Sequence, residues 1–303
     1  MSLKLRKIAI STYNLIAPLI SKTRVNRIPL GGKTLGSRVN PLLVKMLYCK
    51  LPEPTEISGM TIFHSPADGR ESVGWGYAFD YEPKTRRIFE QIIKPSMTVV
   101  DVGANIGYYS LLAAKLVGNN GRVFAFEPDP AYYTLLKKNI EANGLCAIVE
   151  SFRLAIGNTD NKAILFLGKC TSTSLFKVPD ITIQTVVADV LTLDSFFAQR
   201  HWPPVDVIKI DVEGAEKMAL EGMRALVKRN PKLKLIIELN SLFLEKAGAS
   251  SQELLNVLAG LGFNQICVLR GEMGFYKIPE DIENLVSLGE KVSYLNLLCK
   301  KLQ

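Results

Sequence analysis

Histidine is almost missing from this chain. Of 303 residues only His64 and His201 are histidines, which excludes a His-rich zinc centre, because such a site gathers several imidazole or thiolate ligands in one place. Cysteine is sparse as well. The five, at positions 49, 146, 170, 267 and 299, form no C-x-x-C pair and no metal-ligand spacing. An odd count with no secretory cleavage pattern points to a reduced, cytoplasmic compartment. Long apolar runs are also lacking. Ile8–Ile20, the apolar stretch near the start, is interrupted by Ser, Thr, Tyr, Asn and Pro and is shorter than the ~20 residues that span a bilayer. No internal repeat or low-complexity tract is present, and a hydrophobic share of 48% is ample for one sizeable core.

Acidic residues are absent from the first fifty positions. Residues 1–50 hold ten Lys or Arg and no Asp or Glu, and the remainder holds 27 basic and 29 acidic side chains. The net charge of +8 is therefore a property of an N-terminal arm attached to a nearly neutral body. Lys4, Arg6 and Lys7 precede Ile8–Ile20, and Lys22, Arg24 and Arg27 follow it. Three readings stand: a docked helical extension with a solvated basic face, a peripheral contact of residues 1–27 with an anionic membrane, or a nucleic-acid contact.

The dinucleotide fingerprint is missing too, and what replaces it is informative. Val99–Ser110 reads VVDVGANIGYYS, an apolar run ending on Asp101 that turns through Gly103 and Gly107 into a helix. The second and third glycines of G-x-G-x-x-G are not in register. Glycine lets the backbone turn sharply and approach a ligand, and the helix N-terminus offers free N–H groups. Asp101 would repel a phosphate there but suits an ammonium or sulfonium. The next apolar run, VFAFEPDP at Val123–Pro130, ends on Glu127, 24 positions after Gly103, where an acid can accept from both ribose hydroxyls. A nucleoside with positive charge and no phosphate fits this pattern. S-adenosyl-L-methionine (SAM) is such a molecule, and NAD is not.

Strand-like and helical segments alternate from residue 97 onward. Strands are expected at Met97–Val102, Val123–Glu127, Ile148–Leu154, Val207–Asp211, Leu235–Leu239, Asn264–Leu269 and Ser293–Leu298. Helices are expected at 106–117, 130–142, 193–200, 215–228 and 251–260. Ala163–Leu167 and Ile181–Ala188 read as an inserted hairpin around Thr171–Ser174. This alternation predicts an α/β fold with a largely parallel sheet and helices on both faces, and ligands in such sheets bind at the strands' carboxyl ends. Three parts follow: a basic extension (1–50), a lead-in with short strands at Met60–Phe63 and Trp75–Phe79 and a helix at Arg86–Ile93 (51–96), and the main domain (97–303).

A second constellation lies in VDVIKIDVEGAE, Val205–Glu216. Three carboxylates within six residues repel one another unless they bind something or share protons. Glu213 and Glu216 also suit a helix N-terminus. Asp211, at a strand end beside the cofactor cleft, is the better candidate for a general base on a substrate hydroxyl or for orienting the methionine end of SAM. Lys209, mid-strand, either reaches a carboxylate such as Glu238 or snorkels. Asp211, Glu238 and Asn240 together offer oxygen ligands of the kind Mg²⁺ takes, although such groups are common at strand ends.

DVGANIGYYSLLAA, AFEPDP, LAIGN, LTLDSFF and VIKIDVEGAE, in this order and spacing, resemble the FkbM family of class I SAM-dependent methyltransferases, from about Gly76 to about Asn240. The resemblance implies a seven-stranded Rossmann-like fold, SAM as cofactor, and methyl transfer to a hydroxyl oxygen of a small molecule, sugar, glycan or lipid-linked acceptor. It implies that Asp101, Gly103, Asn105 and Gly107 frame the methionine part and that Glu127 binds the ribose. Pro128 and Ala155 would flank the adenine, Asp211 and Glu213 would face the methyl group, and a loop near Ser172–Leu175 would close over the site. Asn240 stands near where many members carry histidine. The rival readings are an RNA methyltransferase using the arm, disfavoured by the lack of an Asn-Pro-Pro-Tyr-type turn after the fourth strand, and a SAM-binding module without catalysis.

Overall fold

The computed structural model describes residues 29–30, 33–34, 54–64, 82–168, 173–177, 182–270, 274–292 and 294–301. The strand expected at Trp75–Phe79, residues 171–172 of the Thr-Ser loop and nearly all of the basic arm lie outside these residues.

The central sheet is built from β1 (Thr98–Val102), β2 (Arg122–Phe126), β3 (Val149–Phe152), β4 (Val207–Ile210), β5 (Lys234–Leu239), β6 (Phe263–Val268), β7 (Gly274–Lys277) and β8 (Leu295–Lys301). Its order is β7-β6-β8-β5-β4-β1-β2-β3. Strands β3, β2, β1, β4 and β5 pair in parallel, and β8 runs antiparallel between β5 and β6. The sequence accounts for seven of the eight strands. The addition is β7, an antiparallel edge strand on β6 whose four residues show no apolar run. The chain order reverses at β1, so the cleft between the loops after β1 and β4 is the topological switch point at which open α/β sheets bind ligands.

Alternate residues along each strand serve opposite faces. Val99, Val123, Ala125, Val207 and Ile236 pack with α1 (Pro83–Ile92), α2 (Tyr108–Val117) and α3 (Pro130–Ala142). Val100, Val102, Phe124, Phe126, Ile208, Ile210 and Ile237 face the other core, with α4 (Leu193–Ala198), α5 (Glu216–Glu221), α6 (Arg224–Arg229), α8 (Ser251–Gly260) and α9 (Ile282–Glu290). A further helix, α7 (Ser241–Lys246), follows β5. The single helix expected over 215–228 is broken into α5 and α6 at Gly222 and Met223. There a Cβ on Gly222 would stand 2.0 Å from the Gly157 carbonyl oxygen, so the helix bends where the inserted sheet crosses it.

That inserted sheet comprises Ala155–Ile156, Asn161–Gly168, Thr173–Ser174 and Thr182–Leu191, longer than the expected hairpin. The lead-in forms a small antiparallel pair, Thr55–Ile57 with Met60–Ile62. Buried Asn139 on α3 exchanges hydrogen bonds with the Phe63 backbone, and Ile57, Met60 and Ile62 share the core of α2 and α3. Among the described residues no helix is long and apolar enough to cross a membrane.

Candidate functional site

Gly103 shapes the cleft. Its φ is +83°, and a Cβ there would lie 1.9 Å from the backbone oxygen of Asp211. Only glycine allows the loops after β1 and β4 to touch. Gly103 and Ala104 donate their N–H groups to the Phe126 carbonyl, and Asn105, at φ +53°, turns its own N–H onto Glu127 Oε2 at 2.7 Å. Gly107, at φ +94°, starts α2 and passes Leu136 of α3, whose Cδ1 would be 2.6 Å from an added Cβ. Its contacts are with the helix packing behind the loop.

Glu127 is 4% exposed and holds the loops after β1 and β2 together, since Oε1 also accepts from Asp129 N at 2.9 Å. Burial raises its pKa to about 8. Each carboxylate oxygen keeps a second lone pair, which suits a ribose diol. Pro128 beside it is half-buried, while Ala155 is buried at the start of the inserted sheet.

Asp101 and Lys209 face each other across β1 and β4, on the face covered by α2. Asp101 accepts from Ser110 Oγ at 2.6 Å through Oδ2. Its other oxygen is buried and has no hydrogen-bond partner among the described residues, an unused acceptor near the strand end. The sequence leaves Lys209 either reaching a carboxylate such as Glu238 or snorkelling. It does reach a carboxylate, that of Asp211 rather than Glu238, Nζ to Oδ2 at 2.9 Å, because residues two apart on a strand share a face. Burial opposes the lysine's charge, yet Asp211, Asp101 and Glu82 outweigh burial and hold the ammonium above the usual lysine range.

One step beyond the Ile210–Ile237 pair lie Asp211 and Glu238, and Glu238 is paired in turn with Asn296 on β8. Glu238 is 8% exposed; burial, then the charges of Asp211 and Glu213, raises its pKa well above the ordinary range. Glu213 takes a left-handed backbone, φ +52°, and burial followed by Asp211 and Glu216 raises its carboxyl to about 8. Glu216 closes the turn, accepting from Val212 N at 3.1 Å and Gly214 N at 3.0 Å. It is a turn-former rather than a group open to the cleft. Asn240 caps α7 by accepting from Phe243 N at 3.3 Å. Among the described residues no group of three or more His, Cys, Asp or Glu is arranged to hold a metal ion.

The Thr-Ser loop crosses the cleft. Thr173 Oγ1 donates to Asp129 Oδ2 at 2.9 Å, and Ser174 Oγ donates to the Glu213 carbonyl at 2.7 Å. The strap ties the loop after β2 to the turn after β4. Sequence reasoning missed Glu82, Tyr109 and Asn296, which complete the cluster. Glu82 Oε1 accepts from Asn296 Nδ2 at 2.7 Å, and Oε2 accepts from Tyr109 hydroxyl at 3.3 Å.

A positive-φ glycine loop, a buried acid at the end of β2 and a buried carboxylate oxygen with no hydrogen-bond partner among the described residues together fit the nucleoside and cationic end of SAM. Residues 101–264 match the family described as the methyltransferase FkbM domain. The chain is 27% identical over 145 residues to Methyltransferase 1 of Beauveria bassiana, covering 41% of this chain and 57% of that protein. It is 33% identical over 76 residues to protein-L-isoaspartate O-methyltransferase 1 of Arabidopsis thaliana, covering 25% and 33%. It thus spans less than two thirds of either relative. Among solved structures, a SAM-dependent O-methyltransferase from Thermotoga maritima aligns at TM-score 0.42 and 15% identity, covering 73% of this chain and 66% of that one. A putative rRNA methylase from Clostridium thermocellum aligns at 0.44 and 13%, covering 73% and 95%. With more than half its length matched by one family and a cleft that fits the cofactor, this chain belongs to the FkbM family of SAM-dependent methyltransferases.

Proposed function

We propose that the protein methylates a hydroxyl oxygen of a small-molecule, glycan or lipid-linked acceptor. The observation that carries this reading is the acidic end of the cleft, where the carboxylates of Asp211, Glu213 and Glu238 lie in one another's field and Asp211 is ion-paired to Lys209. Such a wall accepts hydrogen bonds and protons from hydroxyl groups and repels phosphates. The turn after β4 reads Asp-Val-Glu-Gly, with no amide-proline turn to hold a nucleobase amine.

When bound, SAM supplies a methyl group on a sulfonium, already activated. The chain's own task is alignment and exclusion of water. Glu127 and the Gly103 loop fix the nucleoside. Asp211, tied to Lys209, stands as a fixed anion beside the cationic end. Glu213 and Glu238, without such an ion pair among the described residues and raised by burial, are placed to take the hydroxyl proton once ionised, a state that the positive charge of SAM favours. The Thr173–Ser174 strap shields the cleft.

The test is transfer from methyl-labelled SAM to a panel of sugars, lipids, polyketides and RNA. An alkali-stable methyl ether is expected. Label found only in base-labile esters or on nucleobase nitrogen would overturn the reading. For the basic arm we propose contact of residues 1–27 with an anionic membrane. Sedimentation with vesicles containing phosphatidylserine, lost in a chain lacking those residues, tests it; equal pelleting of both forms would reject it.

A further inference from the structure

Glu82 stands at the head of α1, before Pro83, with φ 52° and ψ 55°. That left-handed backbone is uncommon for a residue with a side chain. An acid at a helix N-terminus ordinarily accepts from the N–H groups of the first turn, and this one makes no such bond. Its carboxylate is turned sideways. Asn296 and Tyr109 hold its two oxygens, and Asn296, itself 5% exposed, is steadied by a second bond to Thr85 Oγ1 at 3.1 Å. The Tyr109 ring also carries Lys209, whose Nζ lies 4.8 Å from the ring centre. Burial, then the charge of Asp211, raises the Glu82 pKa, while Lys209 lowers it, so the three groups share one field. Glu82 and Asn296 both fall outside the family-matched residues 101–264.

We propose that Glu82 is a positioning residue of the cofactor cleft: acting through Tyr109 and Lys209, it keeps the lysine's charge shared, so that Asp211, though ion-paired to Lys209, keeps part of its negative charge toward the sulfonium. One ammonium lies among Asp101, Asp211 and Glu82. With Glu82 ionised, the lysine's charge is divided among three acids rather than held by Asp211 alone, and the cleft keeps net negative charge for a cationic ligand. The inference rests on the methyltransferase reading of the cleft.

The experiment is calorimetric titration of SAM and of S-adenosylhomocysteine, which lacks the sulfonium charge, into the wild type, Glu82→Gln and Glu82→Asp. A merely structural role moves both affinities together. Glu82→Gln is expected to lower the ratio of SAM to S-adenosylhomocysteine affinity by about threefold or more, as for one charge acting across a partly screened cleft. Glu82→Asp, which keeps the charge, should retain the wild-type ratio. If Glu82→Gln does not fold by circular dichroism, Tyr109→Phe decides, since it keeps the ring under Lys209 and releases one carboxylate oxygen; a smaller fall in the ratio is expected. An unchanged ratio in a folded variant overturns the proposal. A wild type that binds neither ligand overturns the cofactor reading beneath it.

Discussion

The ammonium of Lys209 lies 2.9 Å from Asp211 Oδ2, with the lysine side chain 5% exposed and the aspartate 36%. The pair is thus anchored in the core at one end and open to the cleft at the other. Removing the buried partner should cost far more than removing the open one. Lys209→Met leaves Asp101 buried beside an apolar side chain, and about 3 kcal/mol of stability is expected to be lost, as when one partner of a buried pair is deleted. Asp211→Asn should cost under about 1 kcal/mol, because water screens that carboxylate. Urea unfolding of both variants checks the order. Equal losses would show that the pair is not polarised between core and cleft.

A second expectation concerns pH. In the ligand-free protein Glu127 and Glu213 are raised to about 8 and Glu216 to about 7, chiefly by burial. Below the ordinary value of 4.5 the folded and unfolded chains both hold these protons. As pH rises toward 8 the unfolded chain releases them first, so the unfolded state gains and folded stability declines. Asp160, whose value is lowered by hydrogen bonds from Ser195 and Thr192, acts below this window. Scanning calorimetry should show the ligand-free Tm falling by about 3 °C or more between pH 5.5 and 8.5. SAM affinity should rise over the same interval, since a cationic ligand favours the ionised carboxylates. A Tm that climbs with pH would contradict the burial of these groups.

What the sequence made legible was whatever depends on local pattern. The apolar runs ending on Asp101 and Glu127 predicted two strand ends that the structure places side by side. The helix at 130–142 was readable from its Asn143-Gly144 stop, and Asp129, whose side chain accepts from Ala131 and Tyr132 N, caps its start. What stayed hidden depends on strands meeting. Lys209 was visible as an oddity, but its partner is set by register and by facing, neither of which one strand discloses. Glu82 and Asn296 are 214 positions apart, and neither belongs to a motif. Strand β7 has alternating half-buried and exposed residues and lies on the sheet edge, so little apolar patterning marks it. The break at Gly222 was missed because a single glycine in an otherwise helical pattern gives no sign of a carbonyl pressing on it from another sheet.

The strap over the cleft yields a kinetic prediction. Thr173→Val keeps the shape of the side chain and removes the hydroxyl that reaches Asp129 Oδ2. Asp129 retains its capping bonds to Ala131 N and Tyr132 N, so stability should fall by only about 1 kcal/mol, the net worth of one hydrogen bond. Release of SAM, followed by stopped-flow fluorescence, should quicken by about threefold or more, because the strap would no longer tie the loop after β2 to Glu213. Unchanged release with lowered stability would make the contact a support for the inserted sheet alone.

Glu127 separates cofactor binding from loop structure most sharply. Its carboxylate accepts from Asn105 N and Asp129 N, so Glu127→Ala removes both the acceptors for a ribose diol and the clamp between two loops. Calorimetric titration should find SAM binding abolished. Glu127→Gln distinguishes the two losses. One amide oxygen still accepts from one of the N–H groups, so the fold should be kept within about 2 kcal/mol, while the amide nitrogen cannot accept from a second ribose hydroxyl. SAM affinity should therefore fall by about tenfold or more with only a modest drop in Tm. If Glu127→Gln binds SAM as the wild type does, the ribose lies elsewhere, and Glu127 serves only to hold the loops after β1 and β2 together.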